Sequence, residues 1–258
     1  MNRLSETFRN GEKIFIPYIA CGDPDIETTK SLVREMAENS AGIIELGIPF
    51  SDPTAEGPVI QQASLRALTG GVTADKIFAM VRELREDGVN IPLVFMTYAN
   101  VVFSYGTEKF LSHCEAIGID GLILPDVPFE EREDFAPACE AHGMALISMV
   151  APTSEQRIAE ISRSAKGFIY IVSSLGVTGV RSEITTDIAG IVRAIRSNTD
   201  TPCAVGFGIS TPEQAKKMAH ESDGVIVGSA IVKIIAQYGR ESVKPVGDFV
   251  KAMKEAIS

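Results

Sequence analysis

The chain has 258 residues, 45% hydrophobic and 22% charged, with 34 acidic side chains against 24 Lys and Arg and a formal net charge of −10. That balance argues against a broad nucleic-acid or anionic-membrane surface, both of which reward net positive charge. No apolar run reaches the ~20 residues of a bilayer span, and the opening MNRLSETFRNGEK lacks the apolar centre of a signal peptide, so a cytoplasmic protein is expected.

Short β-branched runs alternate along the chain with longer amphipathic stretches. Residues 3–10 read as a short N-terminal helix. Strands are expected at residues 14–20, 43–46, 93–97, 121–124, 145–150, 168–172, 203–206 and 224–227. These runs are nearly continuous in apolar residues, without period-two alternation, as in parallel strands covered on both faces. Between them lie one-sided helical stripes such as Ile77, Met80, Val81 and Leu84, and later Val246, Phe249, Val250, Met253 and Ile257. Eight βα units in a chain of this length predict an α/β fold, a single (β/α)8 TIM barrel spanning residues 1–258, with the extra N-terminal helix closing its bottom. A doubly wound open sheet is the alternative. No linker divides the chain, and no internal repeat is evident.

Cys21, Cys114, Cys139 and Cys203 form no CxxC pair and read as reduced thiols. His113, His142 and His220 are scattered, with no metal-ligand spacing, so no metal site is expected.

In such barrels the chemistry sits where strands end and βα loops begin. That rule sorts the polar residues. None of the lysines ends an expected strand, which argues against a Schiff-base enzyme. Carboxylates remain. Glu45 lies inside the second strand, where a charge is costly unless paired or used. The loop after it carries Asp52 and Glu56 and is stiffened by Pro49, Pro53 and Pro58. Asp23 and Asp126 follow strands one and four and could cap a turn or the next helix. Asp120 precedes its strand and reads as structural.

Two glycine-bearing loops follow strands seven and eight: Gly206-Phe-Gly-Ile-Ser-Thr-Pro212 and Val227-Gly-Ser-Ala-Ile-Val-Lys233. Loops at these positions recurrently bind phosphate, because glycine admits backbone N–H groups to an oxyanion and a helix N-terminus adds partial positive charge. The loop after strand six, Gly176-Val-Thr-Gly179, adds further glycines. Tyr18 and Tyr98 end strands one and three, Phe207 follows strand seven, and Met96, Ile123 and Met149 lie near strand ends. Together they suggest an apolar pocket for a flat aromatic substrate with a phosphate tail, although any one of them is more often plain core than ligand wall.

The stretches Glu45-Leu-Gly-Ile-Pro-Phe-Ser-Asp-Pro53, Gly57-Pro58, Tyr98-Ala-Asn100, Gly176-Val-Thr-Gly179, Gly206-Phe-Gly-Ile-Ser210 and Gly228-Ser-Ala-Ile-Val-Lys-Ile-Ile235 resemble, in order, the tryptophan synthase alpha subunit family. The resemblance implies retro-aldol cleavage of indole-3-glycerol phosphate to indole and glyceraldehyde 3-phosphate. It implies Glu45 as the proton-transferring acid, raised toward neutrality by burial, and Glu56 as an ionised carboxylate at the indole N–H. By the same resemblance, Tyr18, Tyr98, Ile123, Met149, Tyr170 and Phe207 form the wall, and Thr178, Gly179, Gly208, Gly228 and Ser229 lie at the phosphate. Asp52 and Pro53 would face a beta subunit in an α2β2 complex. No cofactor is implied in this chain; pyridoxal phosphate would belong to the beta partner. The family carries aspartate where this chain has Glu56, one methylene longer. Two other readings are a regulatory barrel with weakened lyase activity and a different phosphate-binding epimerase or isomerase barrel.

Overall fold

The structure, a computed structural model, describes residues 3–173, 186–206 and 208–258. Its strands are β1 (Ile14–Ala20), β2 (Ile44–Gly47), β3 (Leu93–Met96), β4 (Gly121–Ile123), β5 (Ala145–Leu146), β6 (Ser148–Val150), β7 (Ile169–Val172), β8 (Cys203–Gly206) and β9 (Gly224–Val227). They form one parallel sheet in the order β5-β4-β3-β2-β1-β9-β8-β7-β6. β5 and β6 stand at opposite ends of that order yet are separated in the chain by Ile147 alone, so the sheet curls into a nearly closed barrel.

This corrects one expectation: the fifth stave is two strands rather than one. Its first half pairs with β4, Leu122 opposite Leu146. Its second half pairs with β7, Met149 opposite Tyr170. Ile147 carries the chain from one neighbour to the other, its N–H still donating to the Leu122 carbonyl at 2.9 Å. The long interval between β2 and β3 holds two helices, Pro58–Thr69 and Ala74–Glu86.

The apolar strands serve two cores. Ile14, Ile16, Tyr18, Val94, Met96, Ile123, Tyr170 and Ile226 fill the barrel interior. Phe15, Ile19, Leu46, Phe95, Ile171 and Val205 point outward beneath the helices. Both faces being buried explains why the sequence shows no alternation. The helix Ala74–Glu86 buries Ile77, Phe78, Met80, Val81 and Leu84 against this outer layer, and Thr73 caps its start. All four cysteine thiols are free and buried, and burial raises each of them above the ordinary thiol range.

The N-terminal helix, Arg3–Thr7, seals the barrel bottom. Leu4 is fully buried in the interior cluster, and Phe8 packs on Phe168 with ring centroids 6.0 Å apart. Asp120 anchors the seal. It accepts from Arg3 Nε at 2.7 Å, Arg85 Nη2 at 3.2 Å and the Leu93 N–H at 3.0 Å, so its role is structural as expected.

Asp23 and Asp126 differ from expectation. The cap of the helix Ile26–Glu38 is Asp25, which accepts from the Thr28 N–H at 2.8 Å. Asp23 is instead buried in a two-pronged ion pair with Arg66, at 2.8 and 2.7 Å. Asp126 accepts from the Ala99 N–H, capping the helix Ala99–Tyr105, which precedes it in the chain. The Asp23–Arg66 pair ties the loop after β1 to the helix that starts just beyond Glu56. Arg66→Ala leaves a buried carboxylate without its partner and is expected to cost about 2 kcal/mol or more in urea denaturation. An unchanged midpoint would show that the pair adds nothing to stability.

Candidate active site

β2 places Glu45 in the barrel. The register sets Tyr18 opposite Glu45, and Glu45 opposite Val94. Tyr18 and Val94 both belong to the interior cluster. Glu45 is 1% exposed, and its Oε2 has no hydrogen-bond partner among the described residues. Burial, reinforced by the nearby Glu56 charge, lifts its carboxyl from the ordinary 4.5 to about 8. A cavity opens beside it, lined by Tyr18, Glu45, Glu56, Ile60, Met96, Tyr170, Gly208, Ile209, Ile226, Gly228 and Ser229.

Glu56 arrives from the rim, on the loop between β2 and the helix Pro58–Thr69. Gln61 Nε2 holds its carbonyl at 2.8 Å, and the Tyr98 hydroxyl donates to its carboxylate. The same hydroxyl accepts from the Ala55 N–H at 2.9 Å, and the Tyr98 ring packs on Phe50. Burial raises the Glu56 carboxyl, while the Tyr98 hydrogen bond pulls it part of the way back. Glu56 is therefore a weaker acid than the freely ionised loop carboxylate expected from the sequence.

At the same cavity, β8 and β9 run into glycine. Gly208 has φ of 78°, a left-handed conformation that favours glycine. Gly228 caps the helix Ser229–Tyr238 without a side chain, so no side-chain oxygen takes up the first N–H groups. Those groups and the helix dipole offer a place for an anion beside the cavity.

Tyr18 and Tyr170 occupy the interior by the same device. Each ring reaches over a glycine on the next strand: Gly47 under the Tyr18 hydroxyl, and Gly206 under the Tyr170 hydroxyl, where an added Cβ would collide. In each case the glycine lies two residues beyond the tyrosine's own register partner, Glu45 or Ala204.

The cavity thus unites Tyr18, Glu45, Glu56, Tyr170, Gly208, Gly228 and Ser229. Tyr98 acts on it through Glu56. Ile123 is fully buried in the interior, and Met149 lines a neighbouring cavity with Leu124 and Phe129; neither borders this one. Thr178, Gly179 and Phe207 lie outside the described residues. Asp52 is exposed and Pro53 half-buried on the loop surface. Ile60, Ile209 and Ile226 line the cavity without having stood out in the sequence. Strand parity alone would have pointed Ile226 inward, level with Ile16 of β1.

Comparison with known proteins agrees with this architecture. The family model for the tryptophan synthase alpha chain matches residues 4–258. The alpha chain of Thermoanaerobacter sp. (strain X514) is 48% identical, with full coverage of both chains. That of Lacticaseibacillus casei is 45% identical over 100% of this chain and 96% of its own. Among solved structures, tryptophan synthase subunit alpha from Legionella pneumophila str. Paris superimposes with a TM-score of 0.91 at 36% identity, covering 100% of this chain and 98% of that one. A chain of the tryptophan synthase complex from Pyrococcus furiosus gives a TM-score of 0.85 at 35% identity, covering 94% and 97%. With a matching barrel, a two-carboxylate cavity and full-length likeness in sequence and structure, the chain belongs to the tryptophan synthase alpha chain family.

Proposed function

We infer that this chain cleaves indole-3-glycerol phosphate to indole and glyceraldehyde 3-phosphate, and that Glu45 and Glu56 carry the chemistry. The observation behind the residue assignment is the cavity itself, which encloses one deep and one rim carboxylate beside an uncapped helix N-terminus. Glu45, held near 8, is protonated at neutral pH and suited to deliver a proton to indole C3. Once ionised, it takes the proton of the side-chain hydroxyl. Glu56 offsets the positive charge that develops on the indole nitrogen. A regulatory barrel without catalysis would have no use for a buried, unpaired glutamate.

Gly208, Gly228 and Ser229 are assigned to the phosphate, and Thr178 and Gly179 join them on the resemblance alone. Tyr18, Tyr98, Ile123, Met149, Tyr170 and Phe207 are assigned to the wall around the indole, Tyr98 through its hold on Glu56. The exposed Asp52 and adjoining Pro53 are assigned to contact with a beta subunit, which would hold pyridoxal phosphate in an α2β2 complex. No helix of the described residues is long and apolar enough to cross a membrane. A charged phosphate ester does not cross a bilayer unaided, which supports a cytoplasmic location.

The test is indole release from indole-3-glycerol phosphate, with and without a beta subunit. Equimolar indole and glyceraldehyde 3-phosphate are expected; a chain that releases neither in both conditions overturns the reading. The phosphate assignment has its own check. A Cβ at Gly228 would lie 3.2 Å from Tyr18 Cδ1, tighter than ordinary contact. Gly228→Val adds two methyl groups beyond that Cβ and is expected to weaken substrate binding about 10-fold or more, the scale of one lost charge-assisted hydrogen bond. Unchanged affinity by calorimetric titration would move the phosphate elsewhere.

A further inference from the structure

We propose that the Tyr18 hydroxyl is a catalytic hydrogen-bond donor to the substrate oxygen that becomes the aldehyde carbonyl. The proposal rests on the lyase reading above and gives Tyr18 a chemical task beyond forming the wall.

Two of the polar groups at this cavity that lack partners among the described residues face the same substrate position. One is Glu45 Oε2, which is buried and unbonded. The other is the Tyr18 hydroxyl, on a residue only 7% exposed, which makes none of the side-chain hydrogen bonds in the structure. Tyr98 is a useful contrast, because its hydroxyl is already engaged by Glu56 and the Ala55 N–H. Tyr18 and Glu45 are register partners on adjacent strands and line the same cavity. Gly47 leaves the room into which the Tyr18 hydroxyl projects.

A buried acceptor without a partner is expensive unless a ligand answers it, and a donor open to the same cavity can meet the same ligand. A hydroxyl does so, accepting from one and donating to the other. The substrate carries such a group on the carbon bonded to the indole ring. Burial, with the Glu56 charge, holds the Tyr18 phenol well above its ordinary range, so it stays protonated and able to donate.

The step balances within the site. Protonated Glu45 gives its proton to indole C3, leaving positive charge on the ring nitrogen. The C3–carbinol bond then breaks, its electron pair returning to the ring. The carbinol O–H pair forms the carbonyl π bond, and that proton passes to the Glu45 carboxylate. Negative charge gathers on the carbinol oxygen as its proton leaves, and the Tyr18 O–H is aimed where that charge develops.

The experiment compares the parent chain with Tyr18→Phe in steady-state indole release. In parallel, each protein is titrated calorimetrically with 3-(indol-3-yl)propyl phosphate, which lacks both side-chain hydroxyls. We expect kcat to fall about 100-fold, with KM and the affinity for the dehydroxylated analogue each within about threefold of the parent. Retained analogue binding also reports an intact fold and phosphate site. A kcat within threefold of the parent overturns the proposal. So does a loss of analogue affinity as large as the loss in kcat, because Tyr18 would then be wall or scaffold. If the parent itself releases no indole, the lyase reading falls and this assignment falls with it.

Discussion

Glu45→Gln is expected to abolish indole release, with kcat lowered about 1,000-fold or more, and to leave the fold and the binding of the phosphate tail intact. Glutamine matches glutamate in size but neither gives nor takes the proton. Substantial residual turnover would remove Glu45 from the proton path. The acid's elevated pKa adds a second signature. In the proposed role Glu45 begins protonated, so kcat/KM of the parent is expected to decline on the alkaline side with a midpoint near pH 8. Stability follows the same group. The folded chain holds that proton more tightly than the unfolded chain, whose glutamate titrates near 4.5. The resulting stabilisation is complete below pH 4.5, erodes as pH rises, and is gone once pH has passed through about 8. The Gln variant has no such dependence, so its melting temperature relative to the parent rises between pH 5 and pH 9. Parallel melting curves across that range would mean that Glu45 is not held above its ordinary value.

Glu56→Ala is expected to lower kcat/KM by about 100- to 1,000-fold, the scale of removing one electrostatic stabiliser from a transition state. Glu56→Asp is expected to preserve or raise it. Aspartate is what the resemblance implies at this place, and it withdraws the carboxylate by about one bond length, ~1.5 Å, away from the Tyr98 hydroxyl. A shift of that size is large enough to change rates markedly, so the pair of variants separates the charge from its reach. Full activity in the alanine variant would take Glu56 out of the site.

The sequence was most informative where a residue contradicted its surroundings. Glu45 was legible because an acid in an apolar strand needs a reason, and it lines the cavity with its Oε2 unbonded among the described residues. The glycines after β8 and β9 were legible because their positions, more than their identities, carried meaning. Asp23 was misread because capping is a local rule, whereas its partner Arg66 lies 43 residues away. Asp126 was misread for a related reason: it caps a helix that comes before it. The break at Ile147 left no trace, since Ala145 to Val150 is apolar on both sides of it apart from Ser148. Ile60 and Ile209 were invisible because an isoleucine facing a cavity and one facing the core read identically.

The sealed floor decides how molecules travel. Leu4, Phe8 and Phe168 stopper the barrel beneath the acids, and Arg3 and Arg85 pin the stopper through Asp120. Among the described residues the chamber is thus closed below, so products leave past the loops through which the substrate came in, and a hand-over to another enzyme docks at that end.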